Sequence, residues 1–282
     1  MTRAAIRPAT CIVRDTARPG RTRSVGPGYT AMEQLHYGRI ILEGASRRLE
    51  SASRALHVEP GGLETGLICL KGAASVTAAG CAFTMRPYDA LYIPRDTTFD
   101  VAPDPASGCD FAEIAAPVEG RYPLQFVEFA AVRKNAGLHF KAGGAASERD
   151  LNILIGKNVE AGRILAGVTF SQPGNWTSWP PHEHGAMLEE AYLYIDMPAP
   201  AFGVQLVYTN QGEPELATIV RENDIVLMPQ GYHPNVAAPG GSINFVWMMA
   251  AHREGEDRQF GVVNVQPEFA TGGSGLDPGR AR

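Results

Sequence analysis

One pattern occurs twice in this chain. Tyr88-Asp-Ala-Leu-Tyr-Ile-Pro94 and Asn223-Asp-Ile-Val-Leu-Met-Pro229 both read as a polar residue, Asp, four apolar residues and Pro. Beyond the proline, Thr98 in the first copy occupies the place of His233 in the second, and Val101 that of Val236. The copies stand about 135 residues apart, the size of a small domain, so the chain reads as a duplicated unit. The units are expected to be β. Short apolar runs follow one another at close spacing: Gly66–Gly72, Ala74–Ala78, Ala90–Ile93 and Phe99–Ala102, then Ile164–Phe170, Ala191–Ile195, Val204–Tyr208, Ile225–Met228 and Ile243–Met249. With 31 Gly and 21 Pro as punctuation in 282 residues, this indicates an all-β sandwich or barrel rather than a helical bundle.

The remaining composition narrows partners and place. A net charge of -5 argues against nucleic acid, which needs clustered Lys and Arg. No apolar run approaches the ~18 residues of a membrane span. The stretch Met1–Ser24 is Arg-rich without an apolar centre, and Pro8, Pro19 and Gly20 break any helix, so it reads as neither a secretory nor an organellar leader. Cys11, Cys69, Cys81 and Cys109 lack Cys-x-x-Cys spacing, which suits unpaired thiols in a reducing cytoplasm.

The chemistry concentrates in Pro180-Pro-His-Glu-His184. On a strand, residues i and i+2 share a side, so His182 and His184 present two imidazoles together. The pair Glu189-Glu190 follows, and His233 stands four residues after Pro229. Three histidines and one carboxylate make a mononuclear divalent-metal centre with room for substrate. Periodicity leaves the acid open. If Glu190 points inward, Tyr192 and Tyr194 share its face; if Glu189 does, Ala191, Leu193 and Ile195 do, and an apolar interior favours the second.

His-x-His, a nearby Glu, then Pro-x-Gly and a final His is the double motif of the cupin superfamily. In full, Pro173-Gly-Asn-Trp-Thr-Ser-Trp-Pro-Pro-His-Glu-His184, Leu188-Glu-Glu-Ala-Tyr192 and Pro229-Gln-Gly-Tyr-His-Pro-Asn-Val-Ala-Ala-Pro239 resemble the 5-deoxy-glucuronate isomerase family of inositol catabolism, which is grouped with the 4-deoxy-uronate isomerases. The resemblance implies a bicupin, two tandem double-stranded β-helix barrels. It divides the chain into an N-terminal extension (1–34), a first cupin without metal ligands (35–125), a metal-binding cupin (126–268) and a flexible tail (269–282). It implies His182, His184, Glu190 and His233 as ligands, since the family pattern places the ligand two residues before a Tyr. It further implies one divalent ion per chain, zinc first, with manganese, iron or nickel as alternatives. The activity implied is metal-dependent aldose–ketose isomerisation of a deoxy uronic acid, 5-deoxy-glucuronate first, in a cytoplasmic homo-oligomer. An Fe(II) dioxygenase and a non-catalytic sugar-binding cupin are the competing readings.

Six further residues are candidates for substrate contact: Arg149, Trp176, Trp179, Gln205, Tyr208 and Tyr232. No residue presents itself as the catalytic base. Trp247, Met248 and Met249 read as core, and His36, His139 and His252 as lone histidines. Where the family carries basic residues, this chain has Ile195-Asp196 and Leu206.

Overall fold

A computed structural model describes residues 3–44 and 55–272 of the chain. Apart from two single-turn helices, Pro8–Cys11 and Phe129–Val132, and a 3-10 turn at Pro267–Gly272, the elements are strands. The expected flexible tail therefore loses its first four residues to that turn, where Phe269 packs on Trp179. Residues 273–282 of the tail lie outside the described residues.

The two halves repeat one plan. The larger sheet of the first half runs Gln125–Val127, Ala90–Ile93, Leu63–Gly72, Cys109–Pro117, His36–Leu42, Gly20–Val25. That of the second runs Ile12–Val13, Ile225–Met228, Leu188–Ile195, Asn244–Ala251, Ile164–Ser171, Arg149–Ile155, His139–Ala142. A four-stranded sheet faces each: Leu56–Val58, Phe99–Pro103, Ala74–Ala78, Cys81–Met85 in the first half, and Trp176–Thr177, Asn235–Ala237, Gly203–Val207, Leu216–Val220 in the second. This is the tandem cupin fold. The repeated sequence pattern falls on the matched strands Ala90–Ile93 and Ile225–Met228. Both stop at a proline, which lacks the N–H needed to continue the ladder.

Each half lends its opening arm to the other. Ile12–Val13, from the N-terminal extension, pairs with Ile225–Met228 of the second half. Gln125–Val127, at the expected boundary, pairs with Ala90–Ile93 of the first. Side chains lock these exchanges symmetrically. Asp224 accepts the Asp15 N–H (3.3 Å), and Asp89 accepts that of Phe129 (2.8 Å). Buried Glu64 accepts the N–H groups of Gly162, Arg163 and Ile164 at 2.8, 2.6 and 2.8 Å. Buried Glu189, at the matching place on Leu188–Ile195, accepts those of Glu33 (2.8 Å), Gln34 (2.7 Å) and Leu35. The N-terminal extension is thus shared between the sheets, Ile12–Val13 extending the second half's and Gly20–Val25 the first half's.

Two apolar cores result. One fills the first half, around Leu67, Val76, Leu91, Phe99 and Phe111. The larger lies between the halves and through the second, joining Ile68 and Ile114 to Ile155, Ile164 and Leu193. Gly66 sets how closely the halves approach, because a Cβ there would meet Ile155 Cδ1 at 2.7 Å and Ile114 Cγ2 at 2.8 Å. All four cysteines are free, and Cys11, Cys69 and Cys109 are buried. Among the described residues no helix is long and apolar enough to cross a membrane. Gly66→Val is expected to destabilise the protein by about 1–3 kcal/mol through overpacking, read as a lower urea midpoint; an unchanged midpoint would place the contact between halves elsewhere.

Candidate metal centre

The His-x-His segment is held from the side by the chain's C-terminal stretch. His182–Glu183 pairs with Asn264–Val265, and the Gln266 N–H donates to Pro181 O at 2.9 Å. A tight turn follows, in which the N–H groups of Met187 and Leu188 both reach His184 O at 2.9 Å. That turn feeds Leu188–Ile195, every residue of which is buried. His233 leaves a turn at Gly231, whose φ of +90° and 2.8 Å approach of a notional Cβ to Tyr208 O explain the glycine of Pro-x-Gly.

All three imidazoles are oriented the same way. His182 Nδ1 donates to Pro180 O (2.9 Å), His184 Nδ1 to Leu188 O (3.2 Å) and His233 Nδ1 to Gly231 O (2.9 Å). This spends each Nδ1 on a backbone carbonyl and turns each Nε2 to the interior. Glu190 Oε2 lies 3.0 Å from His184 Nε2 and 3.1 Å from His233 Nε2. The ligand atoms of His184, Glu190 and His233 lie within 4.8 Å of one another. His182 stands at the margin, its ring centre 5.0 Å from that of His233 and 6.4 Å from that of His184.

The structure chooses between the two glutamates. Glu190 faces the histidines with Tyr192 and Tyr194 on its side of the strand, while Glu189 turns outward to the 33–35 backbone. The expectation of an apolar interior, which favoured Glu189, fails for a physical reason: both faces of this strand are buried, and the apolar one packs against the other half.

Electrostatics suit a cation. Burial, reinforced by the neighbouring His233, holds His182 down to about 3, so it is neutral at physiological pH. Burial alone would raise Glu190, but its contacts with His184 and His233 outweigh that and hold it at about 2. His233 Nε2 is buried without a hydrogen bond, its 3.1 Å approach to Glu190 being out of line for one. Burial opposes a charge on His184, but its hydrogen bond to Glu190 outweighs that and raises it, so the two share a proton that a cation would displace. Inward imidazole nitrogens around an ionised carboxylate are the donor set of a borderline divalent ion.

The cluster opens onto a cavity of about 40 Å³, measured as space for the centre of a water molecule. Arg149, Ser178, Thr169 and Tyr192 supply its polar wall; Trp247, Met249, Phe245 and Leu151 supply much of the apolar one, and Phe260–Val263 form its lip. Arg149 is 2% exposed and donates to Ser147 O (3.0 Å) and Trp179 O (2.9 Å); burial lowers it to about 10. Tyr192 and Ser178 share a hydrogen bond of 2.7 Å.

Of the six substrate candidates, only Arg149 lines this cavity. Trp176 and Trp179 pack on each other, their ring centres 5.2 Å apart, and Trp179 reaches the site through its carbonyl alone. Gln205 is wholly buried behind His233, donating to its carbonyl at 2.9 Å and accepting from Tyr194 at 2.5 Å. Tyr208 donates to Gln266 (2.8 Å) and packs at a tilt against Tyr232, which lines a separate open groove with Arg3, Glu183 and Gln230. Gln205 points inward with its amide spent behind His233, and the other four side chains do not line the cavity. Trp247 and Met249, expected in the core, enter the site because they pair in register with Tyr192 and Glu190. His36, His139 and His252 lie outside the cluster, and Thr65 follows Glu64 in the first half where Glu190 follows Glu189 in the second.

Fold and cluster together define a bicupin with one buried centre of histidines and a glutamate, in its second half. A model of the KduI/IolB family matches residues 44–266, and the chain belongs to that family. A protein of Geobacillus kaustophilus named 5-deoxy-glucuronate isomerase is 29% identical over 80% of this chain and 81% of its own length. A Shouchella clausii protein of the same name is 26% identical over 80% of this chain and 88% of its own. One from Geobacillus thermodenitrificans is 31% identical, over 60% of this chain and 61% of that relative. Among solved structures, an IolB-like protein of Salmonella typhimurium superposes with a TM-score of 0.79 at 22% identity, covering 93% of this chain and 98% of that one.

The cluster is expected to bind about one divalent ion per chain. His233→Ala and His182→Ala are expected to lose it while keeping the wild-type circular dichroism, as shown by elemental analysis of the refolded proteins. Loss of the dichroism signal in either variant would make the ion a structural one.

Proposed function

We propose that this chain is a metal-dependent aldose–ketose isomerase of a deoxy uronic acid, with 5-deoxy-glucuronate as the first candidate. The observation that carries the reading is the placing of one buried cation, Arg149, in the same cavity as the His/Glu cluster. A sugar acid offers a carboxylate to the one and a carbonyl with its adjacent hydroxyl to the other. His182, His184, Glu190 and His233 would hold the ion, zinc being the first candidate. Bound there, a divalent ion supplies Lewis-acid polarisation of that carbonyl and hydroxyl.

The chain's own residues do the rest. The Arg149 guanidinium binds the carboxylate through charge-assisted hydrogen bonds and so sets which end of the acid meets the cluster. The hydroxyls of Tyr192 and Ser178 stand on the polar wall beside Arg149, available to the substrate's own hydroxyls. Trp247, Met249 and Phe260 form the apolar wall beside which a proton leaves the carbon next to the aldehyde and one is delivered to the aldehyde carbon through an enediol. A cavity of about 40 Å³ has room for roughly three waters, less than such an acid requires.

The zinc-loaded protein, incubated with 5-deoxy-glucuronate in heavy water, is expected to lose the aldehyde proton signal and exchange deuterium at the adjacent carbon. Glu190→Gln is expected to do neither. Arg149→Lys is expected to raise KM by roughly 10–100-fold, the worth of a buried bidentate contact, with a smaller change in kcat. Oxygen uptake by the iron-loaded protein in place of isomerisation would turn the reading to a dioxygenase; an unchanged KM in Arg149→Lys would put the carboxylate elsewhere.

A further inference from the structure

Glu189 is an expensive residue to bury and takes no part in the chemistry just described. It is 1% exposed, and both its oxygens accept from consecutive backbone N–H groups, those of Glu33, Gln34 and Leu35. Its two chain neighbours both serve the candidate metal centre. The carbonyl of Leu188, before it, takes the His184 Nδ1–H, and Glu190, after it, provides the carboxylate. The turn between His184 and Leu188 is pinned from the same side, since Arg3 donates to Gly185 O (2.8 Å) and Ala186 O (2.9 Å). Segments 3–4 and 33–35 of the N-terminal extension thus grip the stretch that carries two of the four ligands.

We propose that Glu189 is a positioning residue for the metal centre: by fastening to the 33–35 backbone it sets where Glu190 and the His184 imidazole stand. This rests on the metal reading above. The first half contains its own control. Glu64 makes the same clamp onto 162–164, but Thr65 follows it where Glu190 follows Glu189, so the clamp there has no ligand to place. A clamp whose only purpose is to join halves would act alike in both places.

The test compares Glu189→Gln with Glu64→Gln in the full chain, measuring zinc affinity by competition with a chromophoric chelator and melting temperature without metal. An amide in place of the carboxylate turns one donor toward the backbone N–H groups, so both variants are expected to melt several degrees lower. Only Glu189→Gln is expected to lose zinc affinity, by roughly 10–100-fold, the usual cost of disturbing a ligand's support. The coupling is reciprocal, so zinc binding to the wild-type protein is expected to slow hydrogen exchange at the 33–35 amides and leave the 162–164 amides unchanged. That second measurement decides the matter even if Glu189→Gln does not fold. Equal zinc affinity in Glu189→Gln and wild type, equal losses in the two variants, or no zinc effect at 33–35 would overturn the proposal. A wild-type protein that binds no zinc at all would instead overturn the metal reading on which it stands.

Discussion

Two buried carboxylates, each taking three successive backbone N–H groups from the opposite half, hold this molecule in its arrangement. A carboxylate removed from water is costly unless its oxygens are fully hydrogen-bonded, and only the assembled pair of halves provides the donors. Glu64 and Glu189 therefore reward one relative placement of the sheets. The exchanged arms Ile12–Val13 and Gln125–Val127 extend those sheets and remove the edges that would otherwise be open. Most of the remaining architecture follows from that lock. The large sheets are buried on both faces, which is why their central strands read as unbroken apolar runs.

The candidate metal centre is built where this lock meets the segments 3–35 and 264–266. The N-terminal segments hold the turn and strand that carry His184 and Glu190, and the C-terminal segment 264–266 holds the strand that carries His182. Gln205 steadies His233 from behind. Each ligand is thus supported by chain distant in sequence, and the carbonyls that orient the imidazoles belong to the turns themselves. Such support keeps the Nε2 atoms convergent in a buried site, where an unsatisfied polar atom would otherwise be destabilising. The first half keeps the same strands and clamp with Thr65 and Thr98 at the corresponding positions. It shows that the scaffold stands without the ligand set.

Duplication, β class and the convergence of the histidines were legible in the residues because each rests on local spacing. The Asp-to-Pro pattern marks one strand in each half, His-x-His needs only strand alternation to bring two imidazoles together, and Pro-x-Gly marks a turn that demands positive φ. Strand alternation also showed that Glu189 and Glu190 must face opposite ways. It did not say which way, since that depends on what covers the outer face, and the cover comes from residues 33–35 and from the other half. The same limit explains the substrate candidates. Tyr208 and Gln205 lie close to the ligands along the fold, but Gln205 is spent behind His233 and Tyr208 on Gln266, whereas Trp247 and Met249 enter the cavity through pairing with a strand more than fifty residues away. Arg149 reached the site by a route no local rule describes, across the sheet from the histidines it accompanies. The sequence alone determined the repeating strands and the chemical identity of the donors, because backbone periodicity and side-chain type are local properties. The folded chain decided which carboxylate turns inward and which cation shares its cavity, because burial of a strand's two faces is settled only when both halves have closed upon it.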